Sequence, residues 1–253
     1  MRSLLSNFPA IFMCLILMVA AAVLCCIALR FFRRYFPLPQ LKKDHDVSSV
    51  IFGVISLLYS LIVAFVMIAV WEDFEEVNSN IVQQANNLEK VALQRVNLPD
   101  PLRNAVSGHL RHYVSIELEK PLFTGMTTDS AIIVLHGLRG KLLSADTGNS
   151  IHSTLASIDD DIVEVIQLQN NRYGSMHSHI PPVVWFALIF GSVVVMLLSW
   201  VFRAGNPWLE YLFATLLASF ITMCLTIIYV LDHPGLKGAR INMEPFRKVI
   251  ETL

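Results

Sequence analysis

Four long runs of apolar residues dominate the hydropathy pattern of the chain. A helix needs about 20 residues to cross a hydrocarbon core of about 30 Å, and each run reaches that length. The runs cover residues 10–31, 50–71, 183–202 and 208–231. Their length and hydropathy predict four transmembrane helices, here called the first to fourth spans.

The polar segment between the second and third spans has the periodicity of helices that pack against one another. Core-type residues recur there at steps of three, four and seven, the spacing of a heptad seam. They are Phe74, Val77, Ile81, Leu88, Val91 and Arg95 on the outgoing side, and Ile151, Leu155, Ile158, Ile162, Val165, Gln169, Arg172 and Met176 on the returning side. The pattern predicts that the second span continues as one helix to "LPDP" at 98–101, and that a returning helix leads into the third span.

Two shorter helices are predicted between these long ones. The stretch "DPLRNAVSGHLRHYVSIELEK" at 100–120 is typical of a helix with Asp100 as N-cap and Pro101 at the first helical position. A further helix is predicted over about 128–144, with four apolar residues on one stripe: Ile132, Leu135, Leu138 and Leu142. We therefore predict an all-α fold with four transmembrane helices and a helical bundle of about 110 residues inserted between helices 2 and 3.

These elements divide the chain into four predicted parts. Residues 1–71 form a first transmembrane hairpin with a basic loop, and residues 72–182 form the helical bundle outside the bilayer. Residues 183–231 form the second hairpin, and residues 232–253 form a C-terminal amphipathic tail. In this tail, "RINMEPFRKVIETL" sets apolar beside basic residues, which is typical of a segment that lies at a membrane interface or docks on protein.

The composition agrees with a protein that resides in lipid. Hydrophobic residues make up 55% of the chain and charged residues 15%, which is too apolar for a soluble globule. Membrane lipid is therefore an expected partner. All four cysteines, Cys14, Cys25, Cys26 and Cys224, lie in predicted spans, so the sequence predicts no disulfide framework, no zinc knuckle and no cofactor.

The basic residues beside the spans predict an orientation. Arg30, Arg33, Arg34, Lys42 and Lys43 crowd the first short loop, and Arg203 lies in the other short loop. By the positive-inside rule both loops face the cytoplasm. We therefore predict a multi-pass protein of the bacterial inner (cytoplasmic) membrane, with the insert and both termini extracytoplasmic. The insert at 72–182 is acidic, with 8 Lys and Arg against 14 Asp and Glu, whereas the basic tail argues against this orientation.

Five stretches of the chain carry a resemblance to a known family. They are "KKDHDV" at 42–47, "LLYSLIVAFVMIAVWEDFEE" at 57–76, "LPDPLR" at 98–103, "IPPVVW" at 180–185 and "LDHPGLKGARINMEPF" at 231–246. With the order of the helices, they resemble the bestrophin-like domain family of bacterial membrane proteins, a group largely of unknown function. The resemblance implies similarity to bestrophins, which are oligomeric anion channels with four membrane helices per subunit. True bestrophins keep the insert and both termini in the cytosol, opposite to the orientation predicted from charge.

Small and hydroxyl-bearing residues recur at helical spacing in two spans. The second span carries Gly53, Ser56, Ser60 and Ala64, and the fourth carries Ala214, Ala218, Thr222 and Thr226. Such stripes let helices pack closely, and they can equally line a narrow pore in an oligomer. Both interpretations stay open. No ionisable residue lies near the middle of a span, which disfavours proton pumps and ion-coupled transporters.

The end of the fourth span carries a short polar motif. Asp232 and His233 end the apolar run at the level of the lipid headgroups, and Pro234 then turns the chain off the helix axis. Termination of the span is favoured over an ion-binding or gating role for these three residues.

Two further clusters contain residue types that bind metals. His109 and His112 lie on one helix face, but they would need carboxylates from another helix, such as those at 159–161. The triplet Asp44, His45 and Asp46 is a poor site because adjacent side chains point in different directions. We expect solvated or interfacial side chains at both places, and no metal.

The sequence offers two classes of function. It has no nucleophile elbow, phosphate loop or His-Glu-x-x-His motif, so we expect no enzyme and no catalytic residue. The acidic insert excludes nucleic acid. One hypothesis is a homo-oligomeric ion channel whose two stripes pack the subunits or line a path for ions. The alternative is an envelope sensor or assembly scaffold, anchored by its spans, that recruits a protein partner through the bundle.

Overall fold

The computed structural model describes residues 8–35, 45–119, 126–145, 151–177, 180–201, 206–233 and 242–253. Within these ranges the chain forms helices and no strand, which confirms the predicted all-α class. The helices are α1 (Phe8–Tyr35), α2 (His45–Gln94), α3 (Asp100–Glu119), α4 (Met126–Leu143), α5 (His152–His177), α6 (Pro182–Val201), α7 (Pro207–Asp232) and α8 (Glu244–Thr252), and a 3-10 turn (Arg95–Asn97) follows α2.

Four of these helices contain stretches that are long and apolar enough to cross a membrane. The stretches are Phe12–Tyr35, Ser49–Asn97, Pro182–Val201 and Pro207–Asp232, one for each predicted span. Many of their large apolar side chains are exposed in the single chain. Helices that are apolar around their whole circumference are typical of lipid contact or of contact with another membrane helix.

The chain divides into two compact units. The first contains Met1–Glu72 and His179–Arg240, and the second contains Asp73–Ser178 and Ile241–Leu253. The long helix α2 contributes its first part to one unit and its second part to the other. The four-part division drawn from the sequence stays a prediction.

In the first unit, α1 packs along α7 through small and medium-sized side chains. Cys25 and Leu29 of α1 are buried with Ala214 and Ala218 of α7, and Trp200 of α6 joins the same cluster. The alanines allow the two helix backbones to approach closely, which is the usual means of packing in membranes.

Two polar contacts of this unit lie at the ends of its helices. Arg33 near the end of α1 forms an ion pair with Glu210 in the first turn of α7. The side chain of Asn206 accepts a hydrogen bond of 3.0 Å from the backbone N–H of Trp208 and so caps α7. Pro207 follows at the first helical position, where its missing N–H costs nothing.

The helices α2 and α6 meet at a tyrosine that lies over a glycine. The hydroxyl of Tyr59 donates to the carbonyl oxygen of Leu188 over 3.2 Å. A Cβ atom added to Gly191 would lie 2.5 Å from Cδ2 of the Tyr59 ring, so only glycine fits this contact without a shift. Tyr59 also packs against a cluster in which Val63, Leu188 and Ile228 are buried.

The second unit is a helical bundle in which the predicted seams form the core. Val77, Ile81, Leu88 and Val91 of α2 are buried together with core residues of the other helices: Leu110, Tyr113, Leu135, Leu138, Leu142, Leu155, Ile158, Ile162 and Val165. The heptad pattern therefore identified the buried faces of α2 and α5, and the apolar stripe at about 128–144 identified that of α4.

One boundary in this bundle differs from its prediction. The backbone N–H of Arg103 donates to the carbonyl oxygen of Pro99 over 2.9 Å, so helical hydrogen bonding starts at Pro99. Asp100 therefore lies in the first turn of α3 and is not the residue before it. Its carboxylate lies 3.2 Å from the guanidinium of Arg103, one turn further along.

The helix α8 is seated on the bundle. Phe246 is fully buried, with its ring centroid 6.4 Å from that of Tyr113. Arg95 donates to the carbonyl oxygens of Thr252 and Leu253, over 3.1 and 3.0 Å, and Arg111 also donates to that of Leu253, over 3.0 Å. The sequence allowed two locations for the tail, the membrane interface or a protein surface, and residues 242–253 are docked on the protein.

Replacement of Gly191 by alanine should destabilise the first unit by about 1–3 kcal/mol, because the added methyl group collides with Tyr59. The measurement is thermal unfolding of the purified protein in detergent. The matched control is Gly53→Ala, since a Cβ at Gly53 has no neighbour within 4 Å in the chain. Equal effects of the two substitutions on the monomer would contradict the described contact.

Candidate functional site

The stripe of small residues on α2 lies largely on the outside of the single chain. Gly53, Ser60 and Ala64 are exposed, and Ser56 is half-buried. The hydroxyl of Ser60 donates to the carbonyl oxygen of Leu57, 2.8 Å away on the same helix. This stripe is therefore accessible to lipid or to another protein surface.

The corresponding stripe on α7 has different surroundings. Ala214, Ala218 and Thr226 are buried, and Thr222 is half-buried. The hydroxyl of Thr222 donates to the carbonyl oxygen of Ala218 over 2.8 Å, and that of Thr226 donates to Thr222 over 2.7 Å. Within the single chain, Ala214 and Ala218 of this stripe pack on α1. The hydroxyl groups of Thr222 and Thr226 bond to carbonyl groups of their own helix.

The polar motif at the end of α7 joins two chain segments. Asp232 is buried, and its Oδ1 accepts a hydrogen bond of 2.9 Å from the backbone N–H of Ile180. Pro181 and Pro182 follow and have no N–H to donate. The Ile180 N–H is thus the last backbone donor before α6, and Asp232 satisfies it.

Aromatic rings surround this junction. The ring of His233 lies 4.6 Å from that of Tyr229, and Tyr229 meets Trp185 edge-on at 6.2 Å. His233 Nδ1 is 3.3 Å from Asp232 Oδ2. Tryptophan and tyrosine favour the boundary between lipid and water, so the cluster is typical of the end of a membrane span. Pro234 lies outside the described residues.

Two separate sequence motifs, "IPPVVW" and "LDHP", meet at this junction. The structure brings Ile180 and Trp185 of the first to Asp232 and the Tyr229–His233 ring pair beside the second. The pair of prolines was the available signal, because it leaves a donor that needs a partner from elsewhere in the chain.

The histidines of α3 line a shallow groove of about 420 Å³ beside α4. Gly108 and Gly137 keep it open, and His109 Nδ1 donates to the carbonyl oxygen of Ala105 over 2.7 Å if it carries the ring proton. His112 is exposed at its edge. Tyr113, the next residue along α3, is buried in the core.

Asp159 and Asp161 of α5 have partners other than these histidines. Arg139 donates to both oxygens of Asp159, over 2.6 and 3.0 Å. Asp161 accepts a hydrogen bond from Gln94 over 3.3 Å and lies 3.9 Å from the Lys90 ammonium. Across the described ranges, no group of three His, Cys, Asp or Glu side chains is placed to hold a metal ion. The side chains of Asp44, His45 and Asp46 lie outside the description.

Burial makes Asp161 an unfavourable place for a negative charge. Loss of hydration raises the pKa of Asp161 above its ordinary value, and Glu164 and Asp160 act in the same direction, whereas Lys90 and Gln94 oppose it. A carboxyl group whose pKa is raised by folding weakens the fold when it is ionised. This cost is present at neutral pH and is relieved as the pH falls through the raised pKa.

A chain of buried hydrogen bonds crosses the core of the bundle. The hydroxyl of Tyr113 donates to Gln169 Oε1 over 3.0 Å, and Gln169 Nε2 donates to Glu117 Oε1 over 3.0 Å. Arg172 Nη2 donates to Glu117 Oε2 over 2.7 Å. Burial raises the pKa of Tyr113 well above its usual range, so the hydroxyl stays a donor. The heptad pattern contained Gln169 and Arg172 but gave no sign of their partner Glu117.

The geometry and the comparisons together define what kind of protein this is. Four apolar helices of membrane length, in a chain that also forms a compact helical bundle, define a multi-pass helical membrane protein. The family model of the Bestrophin-like domain matches residues 19–246, and the chain belongs to this family. The resemblance drawn from the five stretches is thereby confirmed. Comparison with curated proteins and with solved structures gave no match.

Replacement of Asp232 by alanine should cost about 1–2 kcal/mol, comparable to the loss of a helix N-cap, because the Ile180 N–H loses its acceptor. The variant Asp232→Asn keeps an acceptor oxygen and should retain most of the stability. Thermal unfolding of both purified variants tests this. A loss of equal size in both would mean that the negative charge is required, which favours an ion-binding role over capping.

Proposed function

We propose that the protein is the subunit of a homo-oligomeric ion channel, and that the α2 stripe faces the conducting path or the neighbouring subunit. Membership of the Bestrophin-like family supports the proposal, since bestrophins are ion channels. The observation that carries it is the exposure of Gly53, Ser60 and Ala64 on a helix whose neighbouring edge is packed.

The position of the small residues on α2 supports this assignment. At about 100° per residue, Gly53, Ser60 and Ala64 lie within about 40° of one another around the helix. They border the edge of α2 that packs on α6 through Tyr59. A row of small side chains lets a second helix approach closely, and hydroxyl and backbone oxygens then replace part of the hydration of an ion.

The α7 stripe suits a different role. Ala214 and Ala218 already pack against α1 within the chain, and the Thr222 and Thr226 hydroxyls bond to carbonyl groups of their own helix. We assign this stripe to packing inside the subunit, and only the α2 stripe to contacts beyond it.

The substitution Ser60→Leu should abolish or strongly reduce ion flux while leaving the monomer folded, because a bulky side chain obstructs the proposed path. The measurement is ion flux from liposomes that contain the purified protein, with native mass determined on the same sample. The matched control is Leu58→Phe on α2, about 160° away around the helix, where Leu58 is exposed.

The two variants separate the interpretations of the stripe. Reduced flux with unchanged oligomer mass in Ser60→Leu supports a path for ions, whereas loss of the oligomer supports packing between subunits. A wild-type oligomer that is correctly inserted and gives no flux above empty liposomes would contradict channel activity.

We further propose that the protein lies in the bacterial inner membrane with the second unit and both termini extracytoplasmic. Val96 is exposed in the turn after α2, so Val96→Cys should react with a membrane-impermeant maleimide in intact spheroplasts once the native cysteines are replaced. Arg203→Cys, in a short loop, should react only after permeabilisation. The reverse pattern would place the bundle in the cytosol, as in bestrophins.

The second candidate function is an envelope sensor or assembly scaffold. The groove between α3 and α4, with His109 and His112 at its wall, is the observation that favours it. An oligomer without flux that retains a specific protein partner, and that loses the partner when Gly137 is replaced by a bulky residue, would support this alternative.

A further inference from the structure

Polar contacts fix the register between α2 and α5 in the bundle. Gln94 Nε2 donates to Ser157 Oγ over 3.1 Å and to Asp161 Oδ2 over 3.3 Å, and the Lys90 ammonium lies 3.9 Å from Asp161. Residues earlier in α2 thus contact residues later in α5, so the two helices are antiparallel. Each turn back along α2 corresponds to one turn forward along α5.

This register brings buried polar side chains of the two helices to the same level. It places Gln84 level with Gln169, and Asn80 level with Arg172. All four are less than a tenth exposed, and Gln84 and Gln169 are fully buried. With Glu117 of α3, these residues are called the polar layer.

Only some side chains of the polar layer have all of their hydrogen bonds. Gln169 and Glu117 use both of their polar side-chain atoms in the hydrogen bonds described above. Among the described residues, neither amide atom of Gln84 has a hydrogen-bond partner, and the same holds for Asn80 Nδ2 and Arg172 Nη1. Buried polar groups of native proteins are paired with protein or with ordered water in the great majority of cases.

The unpaired atoms define the chemistry of what would complete the layer. Arg172 Nη1 and Asn80 Nδ2 are donors, and Gln84 offers one donor and one acceptor. A ligand must therefore accept from at least two groups and be able to donate to a third. It must also be small, because it shares the layer with close-packed side chains.

The charge balance distinguishes water from an anion. Glu117 already neutralises Arg172 through a hydrogen bond of 2.7 Å. An anion would add a net negative charge to the interior, where uncompensated charge is expensive. Water adds no charge, both accepts and donates, and typically makes about three hydrogen bonds at such sites.

We propose that the polar layer binds ordered water, which bridges Gln84 and Asn80 of α2 to Arg172 of α5. The bridge completes the hydrogen bonding that begins at Tyr113, and it ties α2 to the network that already joins α3 and α5. It thereby supports, further along the helix, the same register of α2 that the contacts of Gln94 and Lys90 set.

The substitution Gln84→Met tests the water bridge, because the proposal and its alternative predict opposite shifts of the unfolding midpoint. Methionine keeps the length of glutamine but cannot bond to water. If water bridges the layer, the substitution leaves Arg172 and Asn80 with an incomplete partner, and the unfolding midpoint falls. If Gln84 is truly unpaired, the substitution removes two unpaired polar atoms and the midpoint rises, which overturns the proposal.

The matched control is Gln83→Met, one residue earlier on the same helix. Gln83 is exposed and donates to Ser79 Oγ over 3.1 Å, so its replacement should leave the midpoint unchanged. A fall of equal size in both variants would assign the effect to methionine in α2 in general and would overturn the inference drawn from Gln84.

A crystal structure of the full-length wild-type protein tests the proposal without any variant. Water density should lie about 2.7–3.2 Å from Arg172 Nη1, Asn80 Nδ2 and the Gln84 amide. An ordered layer without such density overturns the proposal. Crystals soaked in bromide provide the second arm, since an anomalous peak in the layer would identify an anion and exclude water.

Discussion

A polypeptide that passes through hydrocarbon has no water to satisfy its backbone, so every N–H and C=O must find a partner within the protein. This constraint accounts for the all-helical first unit and for what happens where its helices end. Before α6, two prolines remove two donors and leave the Ile180 N–H, which Asp232 accepts. At the start of α7, Asn206 performs the same task for Trp208. The hydroxyl groups of Thr222 and Thr226 inside the fourth span bond back to their own helix.

The interior of the second unit contains unusual polarity. Tyr113, Gln169, Glu117 and Arg172 are joined by buried hydrogen bonds between α3 and α5. Such a network contributes little to stability compared with an apolar core, but it is satisfied in only one arrangement of the helices. The polar network therefore disfavours other arrangements of α3 and α5, and the apolar seams around it supply the hydrophobic burial.

The periodicity of the sequence predicted most of the fold, because a helix buries residues three and four apart whatever it packs against. The seam from Val77 to Val91 and the stripe of α4 were identified in this way. Periodicity carries no information on which faces meet. It could not show that Asp232 reaches Ile180, that Glu117 pairs with Arg172, or that the two small-residue stripes differ in exposure. These contacts depend on tertiary packing, which the spacing of residues along the chain does not reveal.

The contact between Tyr59 and Gly191 has a consequence for the divergence of related chains. The ring occupies the volume that any larger residue at position 191 would need, so the two positions share one fixed space. A side chain gained at one of them is tolerated only with a smaller side chain at the other. Covariation between these two positions would mark chains in which α2 and α6 keep the same separation.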